Sequence, residues 1–306
     1  MSEHRTYSFL GPAGTFTEAA LDQVPEARGQ EYKPVNSVTE GLLKVLNGES
    51  HAVMIAIENS IDGGVSTSQD ALATLPGLQI IGEYLVNVDF ILVTAPGRSP
   101  ADLPVVAAHP VAYAQCQGWL NSHLPHHAHV PAASNIAAAV GILDGSLPAH
   151  VAIAAPGVTK YHNLNVVAEH IGDTPDALTR FVLVTRTTVP PPPTGADKTS
   201  LIVELPEERP GALQDLLEQF SSRGINLSLL ESRPIGDRFG RYRFVIDADG
   251  HIHDERMADA LLGIRRFSPH VVYLGSYPRA DQNTVPYQKR YADDVFIEAR
   301  RWLRGH

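Results

Sequence analysis

Residues 199–235 read "TSLIVELPEERPGALQDLLEQFSSRGINLSLLESRPI", and the order of patterns inside this stretch decides the fold of the second half of the chain. "TSLIVEL" is rich in apolar and β-branched residues, as a strand is. "GALQDLLEQFSSRG" repeats apolar residues at helical spacing and closes on glycine, a helix stop. "INLSLLESRPI" returns to strand character. Outward toward the C-terminus follow a strand in "RYRFVIDAD", a helix in "DERMADALLGIRRF" and a strand in "VVYLGSY". The order is βαββαβ, the ferredoxin-like arrangement. Outward in the other direction stands "PPPP", Pro190 to Pro193, then "TGADK". Proline cannot continue a sheet ladder, so residues 190–197 read as a stiff, extended linker. The ferredoxin-like domain is expected over residues 198–277. The tail, 278–306, is polar until the amphipathic helix pattern "DDVFIEARRWLRG".

The first 189 residues alternate strand and helix patterns and predict an α/β domain. Tyr7 to Leu10 is a strand, and "GPAGTFTEAALDQV" turns into a helix. Ser37 and Glu40 form a capping-box pattern before "VTEGLLKVLNG". "HAVMIAIE" is a buried strand, Ser66 to Leu75 is helical, and "GLQIIGEYLVNVDFILVTA" is β-rich and long. The alternation resumes with strand "PVVAAHP", helix Val111 to Ser122, strand "HAHVP", helix Asn135 to Leu143 and strand "HVAIAA". The long β-rich run carries the chain into a second lobe of about residues 80–178, and the strand from Thr179 carries it back. Two lobes with a cleft are expected, with ligands at strand ends.

Length and charge bound the function. The 306 residues suffice for two or three compact units. A formal net charge of −10 speaks against nucleic acid or an anionic membrane as partner. There is no apolar signal core near Met1 and no run long enough to span a bilayer, and the single Cys116 makes no internal disulfide. A cytoplasmic protein is expected, holding any anionic ligand through local cations and backbone amides.

Several motifs could build such a site. "FLGPAGTFTEAA" places glycines before a helix, with Thr15 and Thr17 at its mouth, where free amides and hydroxyls suit an anion; a well-capped helix explains it equally. Glu58, Asn59 and Ser60 stand at the exit of a buried strand, either as loop chemistry or as a site. Ser134 and Asn135 precede an alanine-rich helix, as an N-cap or as further amides for a carboxylate. Thr179 and Arg180 open an apolar strand; by default they are a surface pair, yet a guanidinium grips carboxylate with two hydrogen bonds and a hydroxyl can donate to a leaving oxygen. The histidines of "HLPHHAHV" lack a ligand pattern, and Cys116 sits in a helical apolar pattern as a small core residue. "IHDER", near His253, is a helix start. P-loop and dinucleotide signatures are absent.

The motifs "GPAGTFTEAA", "IENSIDGG", "HPVAYAQC", "ASNIAAA" and "TRF", followed by "GAL" and "ESRP", stand in the order found in one family. Over roughly residues 6–277 the chain resembles prephenate dehydratase with a C-terminal ACT regulatory domain. The resemblance implies a two-lobed catalytic domain like a periplasmic binding protein, with its site between the lobes. It implies conversion of prephenate to phenylpyruvate, with loss of carbon dioxide and hydroxide, in phenylalanine biosynthesis. It places Thr179 beside the ring hydroxyl and Arg180 beside a carboxylate; Glu58 is a third catalytic candidate, able to supply the proton if the cleft holds its carboxyl protonated. Thr15, Thr17, Asn59, Ser60, Ser134, Asn135 and Phe181 then bind substrate.

In the ACT domain, Gly211, Ala212 and Leu213, with Glu231, Ser232, Arg233 and Pro234, would surround phenylalanine at an interface between two subunits, giving a homodimer or homotetramer under feedback control. The chemistry needs no metal or other cofactor, because the ring becomes aromatic once both groups leave. Three departures stand out: Ser134–Asn135 replaces a Ser-Thr pair, Ala177 replaces an asparagine before "TRF", and Ala56 replaces a proline before "IENS". The competing reading is a non-catalytic phenylalanine-sensing or small-anion-binding protein, which would keep "GAL" and "ESRP" without the "TRF" chemistry.

Overall fold

Alternating burial shapes the first strand: in β1 (Thr6–Leu10), Tyr7 and Phe9 are among the most buried large side chains of the computed structural model, which describes residues 4–61, 63–98, 104–207, 209–236, 241–268 and 270–306. The chain continues through α1 (Phe16–Leu21), β2 (Glu31–Val35), α2 (Val38–Leu46), β3 (Ala52–Asn59), β4 (Gly63–Gly64), α3 (Ser66–Thr74) and β5 (Leu78–Asn87). Then come β6 (Ile91–Thr94), β7 (Val105–Ala108), α4 (Pro110–Gln115), α5 (Gln117–His123), β8 (Ala128–Pro131), α6 (Asn135–Asp144), β9 (Val151–Ala154), β10 (Asn165–Ala168) and β11 (Leu178–Arg186). The last part is β12 (Asp197–Glu204), α7 (Ala212–Ser221), β13 (Leu227–Pro234), β14 (Tyr242–Asp249), α8 (Glu255–Phe267), β15 (Val271–Pro278) and α9 (Asp293–Arg304).

Three sheets result. The first has the order β2-β1-β3-β11-β5, with β4 paired to β3; the second is β10-β6-β9-β7-β8; the third is β13-β14-β12-β15. Strand periodicity divides the residues of the second sheet between two cores. Phe90 and Leu92 pack with Cys116 and Leu120, whereas Ile91 and Val93 pack with Ile136 and Ala139 of α6. Each buried Val, Leu, Ile or Phe among them contributes roughly 1.5–3 kcal/mol. The expected capping box forms: Ser37 Oγ accepts the Glu40 N–H at 3.1 Å, and the Glu40 carboxylate accepts the Asn36 N–H at 2.9 Å.

Some elements differ from expectation. β2 lies outside the expected strands, because Lys33 and Pro34 interrupt its pattern; β1 supplies its register, from Thr6 opposite Glu31 to Leu10 opposite Val35. The helix expected over Val111 to Ser122 is two helices. Asp173, distant in sequence, accepts the N–H groups of Gly118 and Trp119 at 2.7 and 2.8 Å, and so caps a new helix start after Cys116. The long β-rich run is broken between β5 and β6.

By compactness the chain forms two units. One gathers residues 1–41, 54–63 and 85–181; the other gathers 42–53, 64–84 and 182–306. Within the second unit, α7 and α8 cover one face of the third sheet, burying Leu216, Phe220, Met257 and Ile264 against Leu201, Val203, Phe244 and Ile246. β5 belongs to this unit as far as Tyr84. Lys198 of β12 donates to Glu83 at 2.9 Å, with the two side chains 8% and 4% exposed, and Glu83 also accepts the Ala280 N–H at 3.0 Å. Gly275 of β15 lies so close to the Ile80 carbonyl that a Cβ there would overlap it.

Candidate active site and effector strand

β3 ends where β11 begins, and the two strands are neighbours in the first sheet. The Ser60 N–H donates to the Leu178 carbonyl at 2.8 Å, and the Leu178 N–H returns a bond to Ser60 Oγ at 2.9 Å. This ladder sets Asn59 against Thr179 and Glu58 against Arg180. Asn59 Nδ2 donates to Thr179 Oγ1 at 2.9 Å, and Arg180 Nε donates to Glu58 at 2.9 Å. Consecutive strand residues leave on opposite faces, so the two pairs point in opposite directions. A single ligand can meet both Thr179 and Arg180 only around the strand end.

The orientation of Asn59 is settled by a third group. Its Oδ1 accepts the Ile61 N–H at 2.8 Å, so the amide must present Nδ2 to Thr179. A hydroxyl whose oxygen accepts from Asn59 keeps its own proton for another acceptor. Thr179 and Arg180 are 7% and 6% exposed, so the pair is no ordinary surface strand. Phe181, 2% exposed, is part of the core beside them.

The other candidate residues lie in the same compact unit, each with local bonds. Thr15 caps the start of α1 only with its backbone, its hydroxyl lying 3.4 Å from the Leu10 carbonyl, and Thr17 is buried. Ser134 Oγ accepts the Ala137 N–H at 3.0 Å as an N-cap, and Asn135 Oδ1 accepts the His109 N–H at 3.3 Å, joining α6 to the end of β7. One group escaped sequence reasoning. Glu18, 5% exposed, accepts the Gly14 N–H at 2.6 Å and the Tyr161 hydroxyl at 2.5 Å, and that bond pushes the Tyr161 phenol up to about 12. The Thr-x-x-Glu spacing from Thr15 to Glu18 was the available signal.

Three other features have plain roles. Burial pushes the Cys116 thiol up to about 12, which suits a core residue and not a nucleophile. His123, His127 and His129 bond to Trp119, Leu124 and Ala108 carbonyls, and among the described residues no group of three or more His, Cys, Asp or Glu is arranged to hold a metal ion. Ala177 is 2% exposed within an apolar cluster, so the asparagine of the family pattern has no polar replacement at that position.

In the second unit, Gly211 takes φ 86° at the start of α7, a left-handed conformation that glycine adopts without strain. β13 is one of the two edge strands of the third sheet among the described residues. Its alternate residues separate: Leu230, Ser232 and Pro234 stand opposite Ile246, Phe244 and Tyr242, whereas Glu231 and Arg233 stand opposite Val245 and Arg243. Ile246 and Phe244 belong to the helix-covered core, so Ser232 and Glu231 lie on opposite faces.

A mixed α/β chain of two wound sheets, with a polar triplet set against Thr-Arg at a strand end and a βαββαβ domain attached, defines an enzyme of binding-protein architecture carrying a regulatory module. The comparisons narrow this. The prephenate dehydratase family matches residues 7–189, and the ACT domain family matches residues 199–266. The curated prephenate dehydratase of Mycolicibacterium vanbaalenii is 41% identical over 311 residues, covering 97% of both chains. The solved prephenate dehydratase of Arthrobacter aurescens, in complex with L-Phe, is 48% identical with a TM-score of 0.94, covering 98% of each chain. That of Staphylococcus aureus has a TM-score of 0.74 at 25% identity, covering 89% of this chain and 99% of its own. The chain belongs to the prephenate dehydratase family, in its form with an ACT domain.

Proposed function

We propose that the chain carries out the decarboxylating dehydration of prephenate to phenylpyruvate, with the Thr179 hydroxyl donating to the departing ring hydroxyl. The bond between ring carbon and carboxylate breaks, and its electron pair enters the ring. The carbon–oxygen bond opposite breaks with its pair on oxygen, and the hydroxide leaves as water once protonated. The observation that supports this reading is the Asn59–Thr179 bond, which leaves the threonine proton available for another acceptor. Threonine is a poor acid, so its role is a hydrogen bond to developing charge, with the proton coming finally from solvent.

The remaining groups orient a dianion. Arg180, its fork fixed through Glu58, holds a substrate carboxylate around the strand end, and Glu58 acts as a positioning residue for it. Thr15, Thr17, Ser134 and Asn135 offer hydroxyls, an amide and helix-start N–H groups to the other carboxylate. Phe181 and Ser60 shape the strand end.

Regulation by phenylalanine at the ACT domain is supported by the "GAL" and "ESRP" residues and by the Arthrobacter aurescens relative in complex with L-Phe. The amides of Gly211, Ala212 and Leu213 receive the carboxylate, with Ser232 and Pro234 on the opposing wall of a paired ACT domain. A homodimer or homotetramer in the cytoplasm is the setting this requires; among the described residues, no helix is long and apolar enough to cross a membrane. Adding prephenate to the purified full chain and following phenylpyruvate tests the function. Formation that persists after exhaustive chelation and falls on Thr179→Val is expected; no phenylpyruvate would refute it.

A further inference from the structure

Glu231 and Arg233, assigned above to the effector motif, hold the chain that follows the active-site triplet. Glu231 Oε1 accepts the Gly64 N–H at 2.9 Å, and its other oxygen accepts from Gln69 Nε2. Arg233 Nη2 donates to Asp70 at 2.8 Å, and Arg243 Nη2 lies 3.5 Å from the same carboxylate. A Cβ on Gly64 would overlap the Glu231 carboxylate and the Gln69 amide, so any larger residue there would push those side chains aside. Gly64 belongs to β4, which pairs with β3, the strand that bears Glu58 and Asn59. One edge strand thus carries Ser232 and Pro234 on its helix side and a grip on β4 and α3 on its other side.

We infer that Glu231 and Arg233 are positioning residues for the dehydratase site, the mechanical link by which occupancy of the ACT domain alters Glu58 and Asn59. The inference rests on the phenylalanine regulation proposed above. A ligand changes a distant site only through an element with two arrangements that both sites bias. β13 meets that need. Its backbone is shared by both faces, so any shift that accommodates a ligand at Ser232 displaces the Glu231 carboxylate with it. Among the described residues its one strand neighbour is β14, so a shift of β13 need not carry the rest of the sheet with it. The contact it makes is also incompletely satisfied. Gln69 Oε1 and Arg243 Nε are buried with no hydrogen-bond partner among the described residues, and half-satisfied polar contacts resist rearrangement less than fully satisfied ones.

The test uses the full chain with prephenate and L-phenylalanine. Response of phenylpyruvate formation to phenylalanine is measured beside calorimetric binding of phenylalanine, for Glu231→Ala, Glu231→Gln and Asp70→Ala, with melting curves as a folding control. The factor by which saturating phenylalanine changes phenylpyruvate formation should shrink by about fivefold or more in Glu231→Ala and Asp70→Ala, within the usual span of allosteric coupling. The phenylalanine dissociation constant should change by less than about threefold, as expected when the lost group is a link and not a ligand contact. Glu231→Gln keeps an acceptor for Gly64 and should restore much of the response. A response unchanged in both alanine variants overturns the link while leaving regulation standing. A dissociation constant that rises while saturating phenylalanine still produces the parent response also overturns it, since Glu231 then belongs to the effector pocket. A parent chain that neither binds nor responds to phenylalanine overturns the regulatory reading and this inference together.

Discussion

Asn59→Asp is the substitution that separates a directed hydroxyl from a merely nearby one. Asparagine and aspartate share a shape, but only asparagine can donate. In the parent chain Oδ1 takes the Ile61 N–H at 2.8 Å, and Nδ2 donates to Thr179 Oγ1 at 2.9 Å. With aspartate the first bond survives, and the second oxygen becomes an acceptor for the Thr179 proton. The hydroxyl is then turned away from the leaving group. Loss of one donor to developing charge costs roughly 2.7–4 kcal/mol, a fall in kcat of about 10²–10³. Asn59→Ala leaves the hydroxyl free to rotate and removes one neutral hydrogen bond worth about 0.5–1.5 kcal/mol, at most about tenfold. The more conservative change should therefore be the more damaging. The added negative charge will also raise KM for a dianion, so kcat is the quantity to compare. In a Thr179→Val background, Asn59→Asp should cost kcat little more, because the proton it misdirects is already gone. An Asn59→Asp enzyme that turns over as fast as Asn59→Ala, or penalties that multiply in the double variant, would refute the reasoning.

Further outcomes follow from the same geometry. Arg180→Lys removes the Nε bond to Glu58 and the planar fork, and should raise KM by about tenfold with a smaller effect on kcat in steady-state assays. Lys198→Met removes the cation beside the buried Glu83 carboxylate and should cost about 3–5 kcal/mol in denaturant unfolding, partly recovered by adding Glu83→Gln; a loss under about 1 kcal/mol would contradict the burial of that pair. Cys116 should resist thiol reagents at pH 8 until the chain unfolds. Its thiol is raised in the fold, so the neutral form is favoured there, and this contribution to stability should be present below the ordinary thiol range and lost as pH rises toward about 12.

The strands and helices of the last domain were legible in the sequence because each carries its own period and its own stop signal. α6 and the capping box of α2 were legible for the same local reason. What local reading could not supply was set by partners far along the chain. The break between α4 and α5 comes from Asp173, and β2 exists because β1 provides its register. At the site, "ENS" and "TR" were each visible, but their pairing spans 120 positions and depends on two strands becoming neighbours. The contact of Glu231 with Gly64 spans 167 positions. The alternation of "ESRP" between two faces, by contrast, is a period-two property already present in the strand.

The division of the chain into interleaved segments has a consequence for its synthesis. The second unit draws on residues 42–53 and 64–84, yet the strands that cover them, β11, β12 and β15, emerge from the ribosome only after the whole of residues 85–177. Translation at about 5–20 residues per second leaves the early segments waiting for roughly 5–19 seconds. During that interval Val53, Leu72 and Ile80, all buried in the finished protein, wait in segments that lack the cover of β11, β12 and β15. Newborn chains should therefore be captured by holdase chaperones in proportion to how slowly codons 85–177 are read, and slowing that stretch should lower yield more than slowing the last thirty codons.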